Sequence, residues 1–217
     1  MEISKRTLEM GTENAFVVLA EVNKMLAEGK QVISFCIGQP DFRTPEVINN
    51  AAIKAINDGK STYTASAGIP ELRKAVADYY TRTRGVNFNP EHIVIGCGGK
   101  PFIHYTIASV TDYGQGHEVI YPNPGYPIYS SQILAQGAKP IALPLLEEKK
   151  YNFDIDDLKR KINDNTRLLI LNSPQNPTGG VLSKDELYEI SEVVKQFPKC
   201  WVYSDEVYSE IVFDNKF

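Results

Sequence analysis

Short apolar runs that end in polar turns recur along the second half of the chain. Residues 118–121, 138–145, 168–171 and 200–204 each form such a run, and residues 93–96 form an earlier, shorter one. The run at 168–171 has no polar alternation, which is typical of a strand buried on both faces of a parallel sheet. Stretches with helical periodicity lie between the runs, so the pattern predicts an α/β fold.

Helix start and stop signals support this alternation. We predict helices over residues 12–29, 45–58, 72–84, 102–110 and 183–194, with a further helix within 151–162. Ser183 with Glu186 three residues later forms a capping box, and Thr44 before Pro45 is placed to cap the second helix. Gly85 marks the end of the third helix, because glycine readily adopts the conformation needed there.

The composition argues against several classes of protein. The chain has 217 residues, of which 42% are hydrophobic and 23% charged, as in ordinary globular proteins. A net charge of −4 argues against a general nucleic-acid binder, and no apolar run is long enough to span a bilayer. Three scattered cysteines and three histidines without ligand spacing predict neither disulfides nor a metal site. The N-terminus lacks the apolar region of a signal peptide, and a cytoplasmic location fits best.

A polar turn after the run at 168–171 carries candidate chemistry. It reads Asn-Ser-Pro-Gln-Asn-Pro-Thr-Gly-Gly, and we expect it to present Asn172, Ser173, Asn176 and Thr178 at the carboxyl end of the strand. Ligands bind at that end in open α/β sheets. The simpler interpretation is an ordinary strand-to-helix loop.

Two more turns add chemistry of their own. Residues 96–101 place glycines just before the helix at 102–110, where backbone N–H groups and the helix dipole favour an anion. Asp205 directly follows the last apolar run, and a charge beside a buried strand is costly unless it is paired. The simpler alternative is that Asp205 caps a helix.

Four segments together resemble the class I/II pyridoxal-phosphate aminotransferases, the aspartate aminotransferase fold family. Residues 172–179 resemble Asn-Pro-x-Asn-Pro-Thr-Gly, and residues 204–208 resemble Ser/Ala-Asp-Glu-x-Tyr. Residues 38–45 resemble Gly-x-Pro-Asp-Phe-x-Thr-Pro, and residues 63–73 resemble Tyr-x-x-x-x-Gly-x-Pro-x-Leu-Arg. The resemblance covers nearly the whole chain.

This resemblance implies pyridoxal 5'-phosphate as the cofactor. Gly98, Gly99 and Lys100 would bind its phosphate, by their position in the glycine turn. Tyr126 would stack on the pyridine ring, and Asp205 would pair with the pyridine nitrogen and keep it protonated. The simpler alternative for Tyr126 is a buried packing tyrosine.

The remaining implied contacts involve the phenolic oxygen, the substrate and a second subunit. Tyr208 would donate to the phenolic oxygen of the cofactor beside Asn176. The backbone of Gly38 would help hold the substrate carboxylate, and Tyr126 and Asn176 would also face the substrate. Tyr63 would reach the cofactor phosphate of the partner subunit, although an exposed surface aromatic is an equally simple interpretation.

The resemblance also implies a fold and a domain organisation. It implies a doubly wound, mostly parallel sheet of the pyridoxal-phosphate transferase type, with about seven strands in three layers, α/β/α. Residues 1–45 would be an N-terminal arm and part of a small domain, and residues 46–217 a large cofactor-binding domain without its C-terminal half. The absent strands would lie between the runs at 93–96 and 200–204, so we expect a gap or a different pairing there.

The family's Schiff-base lysine has no counterpart in these residues. Only Lys216 follows Asp205, and it lacks the Ser-x-Ser-Lys context, so we assign no catalytic residue to this fragment. The implied function is an aminotransferase that moves an amino group between an amino acid and a 2-oxo acid, homodimeric when full length. The alternatives are a pyridoxal-phosphate-dependent lyase of the same fold and an inactive truncated fragment that acts only in binding. The sequence does not select a substrate.

The absent lysine gives a first prediction. A polypeptide of these 217 residues should show no transaminase turnover and should not hold the cofactor covalently, because the amine that forms the bond is missing. Borohydride reduction with pyridoxal phosphate, followed by peptide mapping, measures this. A pyridoxyl group on one specific lysine at full stoichiometry would contradict the prediction.

Overall fold

The computed structural model describes residues 2–11 and 14–213. Contacts divide the chain into two compact units, one of Met1–Glu13 with Gly98–Phe217 and one of Asn14–Cys97. The helices of the described residues are α1 (Lys5–Glu9), α2 (Asn14–Ala27), α3 (Glu46–Asn57), α4 (Pro70–Arg84), α5 (Lys100–Val110), α6 (Ile128–Ala135), α7 (Ile155–Lys161) and α8 (Lys184–Val194). Among them, none is long and apolar enough to cross a membrane. This division does not test the domain boundary predicted at residue 45, which stays a prediction.

A five-stranded sheet forms the centre of the larger unit. Its strands are β1 (Glu118–Asn123), β2 (Lys139–Leu146), β3 (Asn152–Phe153), β4 (Thr166–Asn172) and β5 (Trp201–Asp205). The spatial order is β3-β2-β1-β4-β5, and all the pairs are parallel except the short β3, which runs antiparallel to β2. The predicted α/β fold with a mostly parallel sheet is therefore confirmed.

The strand β4 is buried on both faces, as its unbroken apolar run predicts. Leu168 and Ile170 pack on one side with residues of α5 and α6, whereas Leu169 and Leu171 pack on the other with residues of α7 and α8. Successive side chains of a strand point to opposite faces, so an all-apolar strand needs a helix layer on each side. These two clusters give the three layers, α/β/α.

The order of the strands creates a crevice between β1 and β4. From β1 the chain moves outward through α6 to β2, and it later returns to the opposite side of β1 to form β4 and then β5. The connections after β1 and β4 therefore diverge from two adjacent strand ends. Ligands of doubly wound folds bind at such a switch point, outside the carboxyl ends of the strands.

Most predicted helix ends agree with the structure. The capping box is present, with the Ser183 hydroxyl accepting from the Glu186 amide and the Glu186 carboxylate accepting from the Ser183 amide. Gly85 ends α4 with a φ of 68°. The predicted cap at Thr44 is wrong, because Pro45 is the N-cap residue of α3 and no side chain caps it.

The predicted strand at 93–96 is also wrong. Residues 93–96 form no ladder and follow a short 3-10 helix, Pro90–His92, in the smaller unit. Ile95 donates its amide to the Ala67 carbonyl, and Val94 is 55% exposed, so this short apolar run is not enclosed by neighbouring strands. A run of apolar residues predicts extended backbone, but a partner strand is needed to make it part of a sheet.

The strand β5 is at an edge of the sheet. Its single neighbour among the described residues is β4, and its residues Trp201 and Val202 are 66% and 45% exposed. Among the described residues, the other side of β5 therefore pairs with no strand, and the expected gap beside it stays a prediction.

The two-sided burial of β4 predicts a large cost for truncating its side chains. Leu169→Ala should lower the free energy of unfolding by about 2–5 kcal/mol, because Leu169 is fully buried and a cavity would remain. Urea denaturation of the 217-residue chain measures this loss of stability. The matched control is Leu187→Ala on the exposed side of α8, with an expected cost below about 0.5 kcal/mol. Equal costs for the two variants would argue against the layered core.

Candidate functional site

Side chains of the turn after β4 fold back onto the protein's own backbone. Asn172, which is 6% exposed, donates its amide to the Asp205 carbonyl at 2.9 Å and to the Pro174 carbonyl at 3.3 Å. Its Oδ1 accepts from the Asn176 amide at 2.8 Å. Asn172 lies at the carboxyl end of β4 as expected, and its side chain ties the ends of β4 and β5 together.

Two other polar residues of this turn are also used internally. The Ser173 hydroxyl accepts from the Leu182 amide at 3.0 Å, and the Thr178 hydroxyl donates to Oε1 of Gln175 at 2.9 Å. Hydrogen bonds of this kind make the turn rigid rather than reactive. Of the four polar residues expected at the carboxyl end of the strand, Asn176 is the one whose side chain bonds outside the turn, to Tyr208.

Asn176 lies beside Tyr208, in the segments that follow β4 and β5. Its side-chain amide donates to the Tyr208 hydroxyl over 3.3 Å. A cavity of about 290 Å³ adjoins the pair. It is lined by Pro174, Gln175, Asn176, Pro177, Gly179, Tyr208 and Ile211. The two residues predicted to share one ligand oxygen are thus neighbours, although they are 32 positions apart in sequence.

Asp205 ends β5 with a buried carboxylate that has a specific partner. The carboxylate is 9% exposed, and its Oδ2 accepts from the hydroxyl of Tyr129 on α6 at 2.7 Å. Its Oδ1 accepts a longer bond from the Val207 amide, at 3.4 Å. An ionised carboxylate can accept about four hydrogen bonds, so Oδ1 keeps capacity for another donor. Asp205 does not cap a helix of the described residues.

Sequence reasoning did not identify Tyr129. Its side chain is fully buried, and burial followed by the nearby Asp205 carboxylate raises the pKa of its phenol far above the ordinary value. Burial, followed by Asp205, also raises the pKa of Tyr203 to about 12. Tyr129 therefore stays protonated and donates to Asp205. Helical spacing gave no signal for this role, because Tyr126 lies before the start of α6 at Ile128.

The glycine turn and Tyr126 lie on the same side of the sheet. The rings of Tyr126 and Tyr129 meet edge to face with centroids 5.8 Å apart, and Nζ of Lys100 is 6.0 Å from the Tyr126 ring centroid. Gly98 has a φ of 80°, which favours glycine, and Gly99 is the N-cap residue of α5. A chain of contacts therefore runs from Lys100 through the tyrosines to Asp205.

The two remaining candidates, Gly38 and Tyr63, lie in the smaller unit. A Cβ atom at Gly38 would meet nothing within 4 Å, so crowding does not explain this glycine. The Tyr63 side chain is fully exposed. The roles of Gly38 and Tyr63 in a site stay predictions.

Part of the segment at 63–73 has a structural explanation. Gly68 has a φ of 101°, and a Cβ there would lie 2.6 Å from a side-chain carbon of Ile95. Arg73 donates from Nε to the carbonyls of Pro90 and Ile93, at 3.1 and 2.9 Å. These residues hold the 3-10 helix and the segment after it against the start of α4.

Comparison with known proteins identifies the family. The model of the family described as "Aminotransferase class I and II" matches residues 30–217. The chain belongs to this family. Its members depend on pyridoxal phosphate, in agreement with the cofactor that the sequence motifs imply.

Named aminotransferases are similar to the chain over nearly all of it. A probable aspartate/prephenate aminotransferase of Aquifex aeolicus is 35% identical over 99% of the chain and 54% of its own length. A (5-formylfuran-3-yl)methyl phosphate transaminase of Methanocaldococcus jannaschii is 35% identical, with the same coverage of both proteins. The Thermus thermophilus aspartate aminotransferase structure with maleate has a TM-score of 0.94 and 30% identity, covering 100% of the chain and 56% of that protein. The chain thus spans about half the length of the relatives that it matches.

The Tyr129–Asp205 hydrogen bond gives a stability prediction. Tyr129→Phe should lower the free energy of unfolding at pH 7 by about 1.5–3 kcal/mol, because a buried carboxylate loses its donor. Chemical denaturation measures the loss. Tyr203→Phe is the control, with an expected effect below about 0.5 kcal/mol, since no hydrogen bond of its hydroxyl occurs among the described residues.

The wild type and Tyr129→Phe also test the pKa of Tyr129. Above pH 10, the ordinary tyrosine pKa, the unfolded phenol ionises while the folded one keeps its proton. The wild type therefore loses stability as the pH rises, by about 1.4 kcal/mol per pH unit from this group, and Tyr129→Phe does not. The stability difference between them should shrink above pH 10. A difference that stays constant to pH 11 would contradict the raised pKa.

Proposed function

We propose that these residues form the cofactor-binding part of a transaminase that moves an amino group between an amino acid and a 2-oxo acid through pyridoxal phosphate. The observation that carries the proposal is the buried Asp205 carboxylate at the end of β5, with one oxygen held by Tyr129 and the Asn176–Tyr208 pair nearby. Membership of the aminotransferase class I and II family supports the same reaction.

The donor set around Asp205 fits a pyridine ring with a phenolic oxygen. Asp205 offers a negative charge to the protonated ring nitrogen, and its Oδ1 has capacity for that donor. Asn176 and Tyr208 offer an amide and a hydroxyl to the phenolic oxygen. Tyr126 offers an aromatic face, and a ring held edge to face by Tyr129 is fixed well enough to stack.

Each residue then has a defined task. When bound, pyridoxal phosphate supplies an electron sink that stabilises negative charge at the α-carbon of an amino acid. Asp205 holds the proton on the ring nitrogen, which keeps the ring electron-poor. Tyr129 keeps the carboxylate oriented, because its hydroxyl remains protonated and donates at 2.7 Å. The hydroxyl of Tyr208 and the amide of Asn176 stabilise charge on the phenolic oxygen.

The phosphate belongs at the glycine turn before α5. Gly98 and Gly99 leave the backbone open, since a Cβ at either would meet no atom within 4 Å. The start of an eleven-residue helix favours an anion, and Lys100 adds a positive charge. Gly98, Gly99 and Lys100 would therefore bind the phosphate.

The substrate, the second subunit and the compartment extend this proposal. Gly38, with Tyr126 and Asn176, would hold the amino acid, and Tyr63 would reach the phosphate of the partner subunit in a homodimer. The full exposure of Tyr63 leaves its hydroxyl accessible for such a contact. The relatives act on aspartate, prephenate and a furan phosphate by their names, so the family alone does not choose a substrate. A cytoplasmic enzyme without nucleic-acid or membrane partners agrees with the composition.

Binding of pyridoxamine 5'-phosphate tests the cofactor assignment, because this form needs no covalent lysine. We expect Asp205→Asn to weaken its binding about tenfold or more, since the ring nitrogen loses a charged partner worth at least ~1.4 kcal/mol. Isothermal titration calorimetry of the 217-residue chain measures the affinity. Asp164→Asn, at an exposed residue before the start of β4, is the matched control and should bind as the wild type does. Equal affinity of all three proteins would contradict the role of Asp205.

Product analysis with the intact gene product tests the reaction. Formation of a 2-oxo acid together with glutamate supports transfer of the amino group. Formation of ammonia and pyruvate would instead indicate a lyase that uses the same cofactor residues.

A further inference from the structure

Gln175 connects the two turns that flank the crevice between β1 and β4. It belongs to the turn after β4 and is 6% exposed. Its side-chain Nε2 donates to the carbonyl of Pro124, in the turn after β1, at 3.1 Å. Among the side-chain hydrogen bonds of the described residues, this one joins the turn of Asn176 to the turn of Tyr126.

The other half of the Gln175 amide is held within its own turn. Its Oε1 accepts from the Thr178 amide at 3.1 Å and from the Thr178 hydroxyl at 2.9 Å. Its backbone amide donates to the Gly180 carbonyl at 2.9 Å, and its carbonyl accepts from the Gly179 amide at 2.8 Å. These hydrogen bonds fix the side chain of Gln175, so its Nε2 reaches the Pro124 carbonyl in a single orientation.

The backbone of the turn after β1 is tightly packed, so it cannot easily compensate for a displacement of the Pro124 carbonyl. A Cβ at Gly125 would lie 2.3 Å from the Pro122 carbonyl oxygen, so the backbone is folded tightly on itself. Tyr126 follows Gly125 directly and contacts Tyr129. A displacement of the Pro124 carbonyl would therefore move the ring of Tyr126.

We propose that Gln175 is a positioning residue that sets the spacing between Tyr126 and Asn176. One end of the amide fixes the turn after β4, and the other end holds the turn after β1. The spacing matters because a cofactor held by both Tyr126 and Asn176 would need the two side chains at a set separation. The proposal rests on the proposed function, since Tyr126 and Asn176 serve a cofactor only if one binds there.

Gln175→Glu removes the donor of the side-chain amide and keeps an acceptor, so it tests the bond to Pro124 separately from the bonds to Thr178. A carboxylate keeps the size of the side chain and can still accept from Thr178, but it cannot donate to the Pro124 carbonyl. Gln196→Glu is the matched control, because Gln196 is exposed and its Nε2 donates within its own segment to Glu192. Gln175→Met, which keeps the length without charge, serves where the carboxylate variant does not fold.

The first measurement uses the free chain and needs no cofactor. Amide hydrogen exchange should rise in peptides that cover residues 124–131 in Gln175→Glu and should stay unchanged in β2. The exchange of Gln196→Glu should match the wild type throughout. Unchanged exchange at 124–131 in a folded Gln175 variant would overturn the proposal, whatever binds in the crevice.

The second measurement uses pyridoxamine 5'-phosphate with the same proteins. We expect about tenfold weaker binding to Gln175→Glu and a weaker induced circular dichroism band of the bound ring, which reports its orientation. Lowering the pH protonates the introduced carboxyl, which then donates to Pro124, so the affinity relative to wild type should recover.

The outcomes separate this proposal from the proposed function. Wild-type affinity and dichroism in Gln175→Glu would overturn the positioning role. Absence of binding to the wild-type chain would instead count against the cofactor assignment, and the exchange measurement would then decide on Gln175 alone.

Discussion

The parallel pairing of β4 with β5 is the constraint on which the candidate site depends. The register places Asn172 opposite Asp205 at the last position of each strand. The side chain of Asn172 then bonds the Asp205 carbonyl with one end and the Asn176 amide with the other. A shift by one residue would turn Asp205 to the other face of the sheet, away from Tyr129, because side chains alternate along a strand. The pairing of β4 with β5 therefore fixes both the burial of the Asp205 carboxylate and the direction of the turn after β4.

The polar residues of the turn after β4 divide into two groups with different tasks. Asn172, Ser173, Gln175 and Thr178 satisfy hydrogen bonds within the protein, so they make the turn rigid. The side chain of Asn176 instead contacts Tyr208 and lines the cavity beside it. Rigid support matters for a site of this kind, since a group that must meet a ligand at a set distance needs neighbours that cannot rotate. Most polar residues of this motif therefore stabilise the turn itself and do not contact a ligand directly.

Sequence reasoning was most successful where the pattern is local. The buried strand β4, the capping box at Ser183 and the end of α4 at Gly85 each follow from residues close together in the chain. It failed where the outcome depends on distant partners. Residues 93–96 look like a strand, but they have no ladder partner in the described chain. Tyr129 looks like an ordinary core residue of α6, because an apolar helix face hides which of its members carries a hydrogen bond.

The sequence by itself determined the type of fold, the family and the identities of Asp205, Asn176, Tyr126 and Tyr208 as candidates. The type of fold follows from periodicity, and the family and the candidates follow from the resemblance of short motifs to those of a known family. Only the tertiary structure decided which side chains meet: Tyr129 with Asp205 across 76 positions, and Gln175 with Pro124 across 51. The physical reason is that hydrogen bonds act over about 3 Å, whereas the order of strands in the sheet, which brings distant segments within that range, is set by burial of the whole core.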